Sequence, residues 1–191
     1  RDQKSAIYGR LAEMAFNKED YDIAKDGYAN VITNSLSKER IENAHLQLLK
    51  ILRIQKNYKA ASRKIKGMLT DDKFKRISGN LELELVQLYR AQGEISEIET
   101  RLESIVNDYP RTLVSAEAYY LLGKIYTSQK WDLNKAKEYF DQVSKESSKS
   151  LFSPMAKSLS KAIGTYQEAQ KDLETHLTIL TQDSTQVSTE L

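Results

Sequence analysis

Four amphipathic segments with one apolar spacing recur along the chain. In residues 18–32, Tyr21, Ala24, Tyr28 and Val31 fall three or four positions apart, which puts them on one stripe of a helix. Residues 55–69 repeat the stripe with Tyr58, Ala61, Ile65 and Met68. A third copy is Ile95, Ile98, Leu102 and Ile105, and a fourth, after a different lead-in around Trp131, is Leu133, Ala136, Phe140 and Val143. The second residues of the stripes, Ala24, Ala61, Ile98 and Ala136, lie 37, 37 and 38 positions apart. A period of this size marks a stacked array in which no unit can bury its apolar face alone. Upstream of each stripe lies another: Tyr8, Leu11, Ala12 and Ala15; His45, Leu48, Leu49 and Leu52; Leu85, Val86 and Tyr89; Tyr119, Leu122, Gly123 and Tyr126. Each unit therefore reads as a helical hairpin.

The spacing predicts helices over about 3–17, 21–33, 38–55, 58–69, 80–92, 95–107, 113–129, 133–146 and 154–180. Asp20 and Asn57 stand where a side-chain oxygen can accept from the free amides of a second helix, and Asn80 where it can do so for a first. Ser153 before Pro154 is a helix start, because proline lacks an amide that the first turn would leave unbonded. The last helix carries Leu159, Ile163, Tyr166, Leu173, Leu177 and Leu180 and is expected to cap the fourth hairpin. Residues 181–191 are polar, Ser/Thr-rich and aperiodic, and read as a frayed tail or linker, since they offer little apolar area to offset ordering the backbone. The domain expectation is one array over 1–180, with hairpins at about 3–33, 38–69, 80–107 and 113–146.

Composition supports an all-α chain. Seven Gly and two Pro among 191 residues are too few turn formers for a many-stranded sandwich or barrel. No run of about 18 apolar residues exists to span a bilayer, and the absence of Cys rules out disulfides and thiolate chemistry. A net charge of +2 is too close to balance for bulk attraction to nucleic acid. The start at Arg1 suggests a processed or excised chain, with a possible membrane tether or neighbouring domain before it.

These hairpins resemble the tetratricopeptide repeat. AYYLLGKIY, residues 118–126, reproduces that family's first-helix pattern. LYRAQGEI, residues 88–95, reproduces the helix-to-helix turn with Gly93, and Asp108, Tyr109 and Pro110 form the closing element. A glycine inside a helix costs about 1 kcal/mol against alanine, so Gly123 signals a neighbouring helix packed too close for a side chain. The chain departs from the pattern where Ala12, Leu49 and Val86 hold the place of Gly123, where Ile98 replaces a small residue, and in a period longer than the family's ~34 residues. Residues 109–126, 134–143 and 150–163 are most similar to bacterial cell-envelope repeat proteins of the Tol-Pal accessory and outer-membrane-assembly lipoprotein type. The likeness covers about 80 residues and is weak before residue 80. It implies a TPR-like right-handed superhelical solenoid of helical hairpins with a C-terminal capping helix, working as an adaptor in the periplasm or cell envelope.

The local signatures of phosphate, dinucleotide, acyl-transfer and zinc chemistry are absent. His45 and His176 lie on separate amphipathic helices and read as packing or surface residues, and the carboxylates at Asp71/Asp72, Glu82/Glu84 and Glu97/Glu99/Glu103 as solvated faces. No catalytic, cofactor-binding or metal-binding residue is assigned. Charge is unevenly spread: residues 50–76 hold ten cations against Asp71 and Asp72, and residues 80–108 hold seven acids against Arg90 and Arg101. No aromatics interleave an exposed basic strip as stacking on nucleic acid would require, so nucleic acid is not an expected partner.

The resemblance places binding on first-helix residues that lie off the packing stripe. By periodicity these include Glu13, Asn17, Asn43, Lys50, Arg53, Gln87, Arg90, Tyr120 and Lys124. The four cations among them suit a carboxylate or phosphate, and Tyr120 offers a large contact area. The likeness does not reach the family's C-terminal-carboxylate clamp, because Gly9 and Glu13 stand where cationic and amide side chains are wanted. The expected function is binding of a protein or peptide partner without catalysis. The alternatives are a helical accessory domain of a larger, peptidoglycan-processing envelope enzyme and a self-assembling structural subunit.

Overall fold

The computed structural model describes residues 2–189, with side chains for residues 2–182. Nine α-helices and no strand occur among them: α1 (Asp2–Asn17), α2 (Tyr21–Asn34), α3 (Lys38–Ile54), α4 (Tyr58–Leu69), α5 (Ser78–Gln92), α6 (Ile98–Asp108), α7 (Leu113–Ser128), α8 (Leu133–Glu146) and α9 (Ser153–Thr189). The fold is all-α, of tetratricopeptide-like helical hairpins. The chain divides into two compact units, residues 1–108 with α1–α6 and residues 109–191 with α7–α9.

The hairpin turns show why the repeat has its length. Glu19, Lys56 and Gly93 each adopt a left-handed conformation, with φ of 62°, 60° and 77°. The amides of these residues bond carbonyls three residues back, at Phe16, Arg53 and Arg90. The amides that follow, of Asp20, Asn57 and Glu94, reach five back to Ala15, Leu52 and Tyr89. This pair of bonds satisfies two of the carbonyls a helix end leaves unbonded and reverses the chain within a few residues. In the fourth hairpin the left-handed residue is Trp131, at 52°, and the Asp132 amide reaches six back to Tyr126. One extra residue in that turn accounts for the final spacing of 38. Only Gly93 takes this conformation without a Cβ penalty. Replacing Lys56 by Gly is expected to stabilise the first unit by about 0.5–1 kcal/mol, seen as a higher urea midpoint by circular dichroism.

Helix starts follow local chemistry. Asp20 accepts from the Ile23 amide, Ser37 from Arg40 and Asp132 from Lys135, while Thr112 and Ser115 bond each other's amides in a capping box. Two expected caps differ. Asn57 precedes α4 but its side chain makes no capping bond, and Asn80 lies inside α5, which starts at Ser78. A 3-10 helix, Asp72–Ile77, carries the chain directly into α5 because Phe74 and Ile77 are buried and draw the connection onto the core.

Each core cluster of the first unit joins a hairpin to the helix that follows it. Ala12, Ala24, Tyr28 and Val31 pack with Ala44 and Ile51 of α3. Ala61, Ile65 and Met68 pack with Phe74, Leu81, Leu85 and Leu88. In the second unit Phe140 and Val143 pack against Ala156 and Ile163 of α9. A Cβ on Gly123 would lie 2.5–2.9 Å from the Phe140 ring, the close neighbour its position implied. In the first hairpin Ala12 takes the place of Gly123, and the space is made across the pair by Gly27, whose Cβ would meet the Ala12 Cβ at 2.7 Å.

The last helix departs from the expected cap. Only its first turns cover the fourth hairpin, through Ala156, Leu159 and Ile163, whereas Tyr166, Leu173, Leu177 and Leu180 are exposed. The helix also continues past residue 180 to Thr189, where a frayed tail was expected. Residues 190 and 191 of that tail lie outside the described residues.

Candidate functional site

A groove of about 520 Å³ opens in the first unit along α1 and α3. Arg10, Glu13 and Asn17 follow one another along α1 at intervals of three and four, and Asn43, Gln47 and Lys50 do the same on α3. Both triplets stand off the buried stripes, so the two helices pack on α2 through their apolar residues and leave a polar lining between them. Tyr28 and Val31 of α2 lie at the base, and both are buried. Burial, reinforced by Glu13, raises the Tyr28 phenol above its ordinary range and keeps it neutral. At the wall, the Lys50 ammonium lies 5.1 Å from the centre of the Phe16 ring, a cation–π contact that orients the charge along the groove.

One end is braced by Asp2. Its carboxylate accepts from the Leu36 amide at 2.9 Å and from Arg40 at 2.6 Å, and Ser35 donates to it as well. The Leu36 bond first, against opposing desolvation, and then Arg40 and Ser35 hold that carboxyl below its ordinary range. Arg40 lines the groove but is already ion-paired, whereas Arg10 and Lys50 are exposed. The groove thus offers two cations, one carboxylate and three side-chain amides around an apolar base. Such a lining can hydrogen-bond an extended chain and pair with an acidic group.

Of the expected binding residues, Glu13, Asn17, Asn43 and Lys50 line this groove together. Arg53 does not join them, because its guanidinium pairs at 2.6 Å with Glu84 of α5, both side chains being largely buried. Arg90 donates to Gln87 at 3.0 Å, which places these two beside each other on α5. Tyr120 stacks on Phe152 with ring centres 4.8 Å apart and helps close the core of the second unit, and Lys124 is exposed on α7. Arg10 and Gln47 were missed, although the same periodicity that marks Asn17 and Asn43 puts each one helical turn or two from a residue that was chosen.

Residues 117–150 match a tetratricopeptide repeat family. This segment holds most of α7 and all of α8, the hairpin in which Gly123 meets Phe140. Tetratricopeptide repeats generally mediate protein–protein interaction, which supports an adaptor role. No curated protein matches the chain.

His45 packs edge-on against Phe74 at 5.0 Å, and burial, followed by Lys64 and Lys73, lowers its pKa. His176 is exposed on α9. The charge imbalance between residues 50–76 and 80–108 is offset in part by Arg53–Glu84, while Lys56, Lys59, Arg63 and Lys66 stay solvent-exposed. No described helix is long and apolar enough to cross a membrane.

Proposed function

We propose that this chain is a non-catalytic adaptor that binds an extended, acidic segment of another protein in the groove between α1 and α3. The observation that carries the reading is the convergence of Asn17, Asn43, Gln47, Arg10 and Lys50 on one opening above Tyr28 and Val31. Side-chain amides can bond a peptide backbone of any sequence, and the two cations select a carboxylate among the side chains it presents. The match to the repeat family supports protein as the class of partner. The envelope setting rests on the resemblance of residues 109–163 to cell-envelope repeat proteins and is tested by fractionating the source cells.

A random-peptide display selection on the full chain tests the groove. Acidic peptides are expected to be enriched, and the combined substitution Asn43→Ala and Lys50→Glu is expected to weaken their binding by about tenfold or more while leaving helicity unchanged. Peptides that bind the double variant as well as the parent chain would refute the assignment.

A further inference from the structure

The connection between α8 and α9 inverts the usual order of burial. Ser150 and Ser153 are buried, whereas Leu151 between them is 88% exposed. The loop is tightly bonded. The amides of Ser150 and Ser153 donate to the Ser147 and Ser150 carbonyls, the Phe152 amide donates to Ser150 Oγ, and Ser153 Oγ donates to the Ser147 carbonyl at 2.9 Å. Phe152 is seated on Tyr120. Serines that close the turn from inside and a ring fixed in the core thus hold Leu151 out in water, where it adds no burial to the fold. Two more exposed apolar side chains stand at this end of the second unit. Leu113 opens α7, between Arg111 and Ser115, whose amide and hydroxyl donate to Glu146 at the end of α8 at 2.5 and 2.8 Å. Met155 lies in the first turn of α9.

The surroundings of Leu151 are cationic. Lys145, Lys149, Lys157 and Lys161 are all exposed, and none forms an ion pair among the described residues. No acid occurs between Glu146 and Glu168. Glu146 is occupied by Arg111 and Ser115, and Asp141 by Lys137 and Ser160. Glu117 and Asp108 flank Arg111 and offset it, and Glu138 lies about two turns before Lys145 on α8, so the lysines set the sign around the loop. An apolar tip ringed by lysines and serines is unlike the centre of a protein interface, which is depleted of both and anchored by Trp, Tyr or Arg. A phosphate backbone would use the lysines but leave Leu151 in water. A bilayer with anionic lipids uses both, because leucine enters the boundary of the acyl chains while lysine ammoniums stay among the headgroups. We propose that this end of the second unit docks on an anionic lipid bilayer, with Leu151 inserted and Lys149 and Lys157 at the headgroup phosphates. The site is separate from the groove between α1 and α3, which is left free to hold a protein partner.

Flotation of the full chain with vesicles tests this. The parent chain is expected to float with vesicles of equal parts phosphatidylglycerol and phosphatidylcholine, and to be released by raised salt. Leu151→Ser is expected to weaken binding by about tenfold, and Lys149→Ala with Lys157→Ala by about twentyfold, at about fivefold for each cation. These side chains are already in solvent, so circular dichroism is expected to be unchanged. The chain has no Cys, so Leu151→Cys takes a single nitrobenzoxadiazole label, whose emission is expected to shift to the blue on the mixed vesicles. Trp131, in the turn at the other end of α7 and α8, is expected to keep its emission wavelength. No flotation with the mixed vesicles, flotation that Leu151→Ser leaves unchanged, or a blue shift at Trp131 in place of the label would overturn the proposal. Duplex DNA bound by the parent and by Leu151→Ser, but not by the lysine variant, would overturn it in favour of a phosphate-backbone partner.

Discussion

Replacing Phe140 by Ala is expected to destabilise the second unit by about 3–5 kcal/mol. Phe140 is among the largest fully buried side chains, and it is the residue on which α7, α8 and α9 converge. Its ring fills the space that Gly123 leaves on α7 and lies 5.9 Å from Tyr120. Truncation removes those contacts and opens a cavity that the rigid helices cannot close. A domain of this size is commonly stable by about 5–15 kcal/mol, so the loss takes away much of the margin. Trp131, the single tryptophan, lies in the turn between α7 and α8 and reports the unfolding in urea through its fluorescence. Adding Gly123→Ala to the Phe140→Ala background should recover part of the loss, because the new methyl enters vacated space. In the parent chain the same methyl strikes the ring. That reversal of sign between backgrounds checks the contact itself.

A second expected result is that one chemical change, Gly to Ala, has opposite effects at two helical positions. At Gly27 the added Cβ would lie 2.7 Å from the Ala12 Cβ, 3.1 Å from the Tyr8 carbonyl oxygen and 3.2 Å from the Ala12 Cα. Two of these neighbours are backbone atoms, so no rotamer change relieves the clash and α1 must move away from α2. Overpacking of this kind costs about 1–3 kcal/mol, occasionally more, which exceeds the helix-propensity gain of about 1 kcal/mol. The net expectation is a loss of up to about 2 kcal/mol. Gly67 of α4 has nothing within 4 Å of its added Cβ, and there the propensity gain stands, stabilising by about 0.5–1 kcal/mol. Hydrogen exchange of the amides in α1–α2 and in α4 reads each effect in its own hairpin.

The hairpins were legible in the sequence because burial imposes a spacing of three and four, although Leu11 of α1 and Ile95, in a 3-10 turn before α6, are exposed members of their expected stripes. The turns were legible only at Gly93. Glu19, Lys56 and Trp131 take the same left-handed conformation, but their identities do not announce it, and the hydrogen bonds that hold them there link residues on both sides of the turn. The cap was half legible for a related reason. Periodicity shows that one side of α9 is apolar, but it does not tell which part of that side meets a neighbour. Leu159 and Ile163 do, while Leu173, Leu177 and Leu180 do not.

The groove follows the same division. Helical phase put Glu13, Asn17, Asn43 and Lys50 off the packing stripe, and they converge. Arg53 has an equally suitable phase, but Glu84 on α5 neutralises it, a pairing across 31 positions that no local spacing reveals. Tyr120 was chosen for its contact area, and the stacking with Phe152 puts that area to use in the core.

The most direct measurement is site-specific photo-crosslinking of the full chain in its source cells, with the reactive side chain placed in turn at Gln47 in the groove and at Arg63 on the exposed face of α4. A discrete partner protein captured from Gln47 and absent from Arg63, and lost when Lys50→Glu is added, is the predicted result. Capture of the same partner from Arg63 alone, or equally from both positions, would contradict an adaptor that works through the groove between α1 and α3.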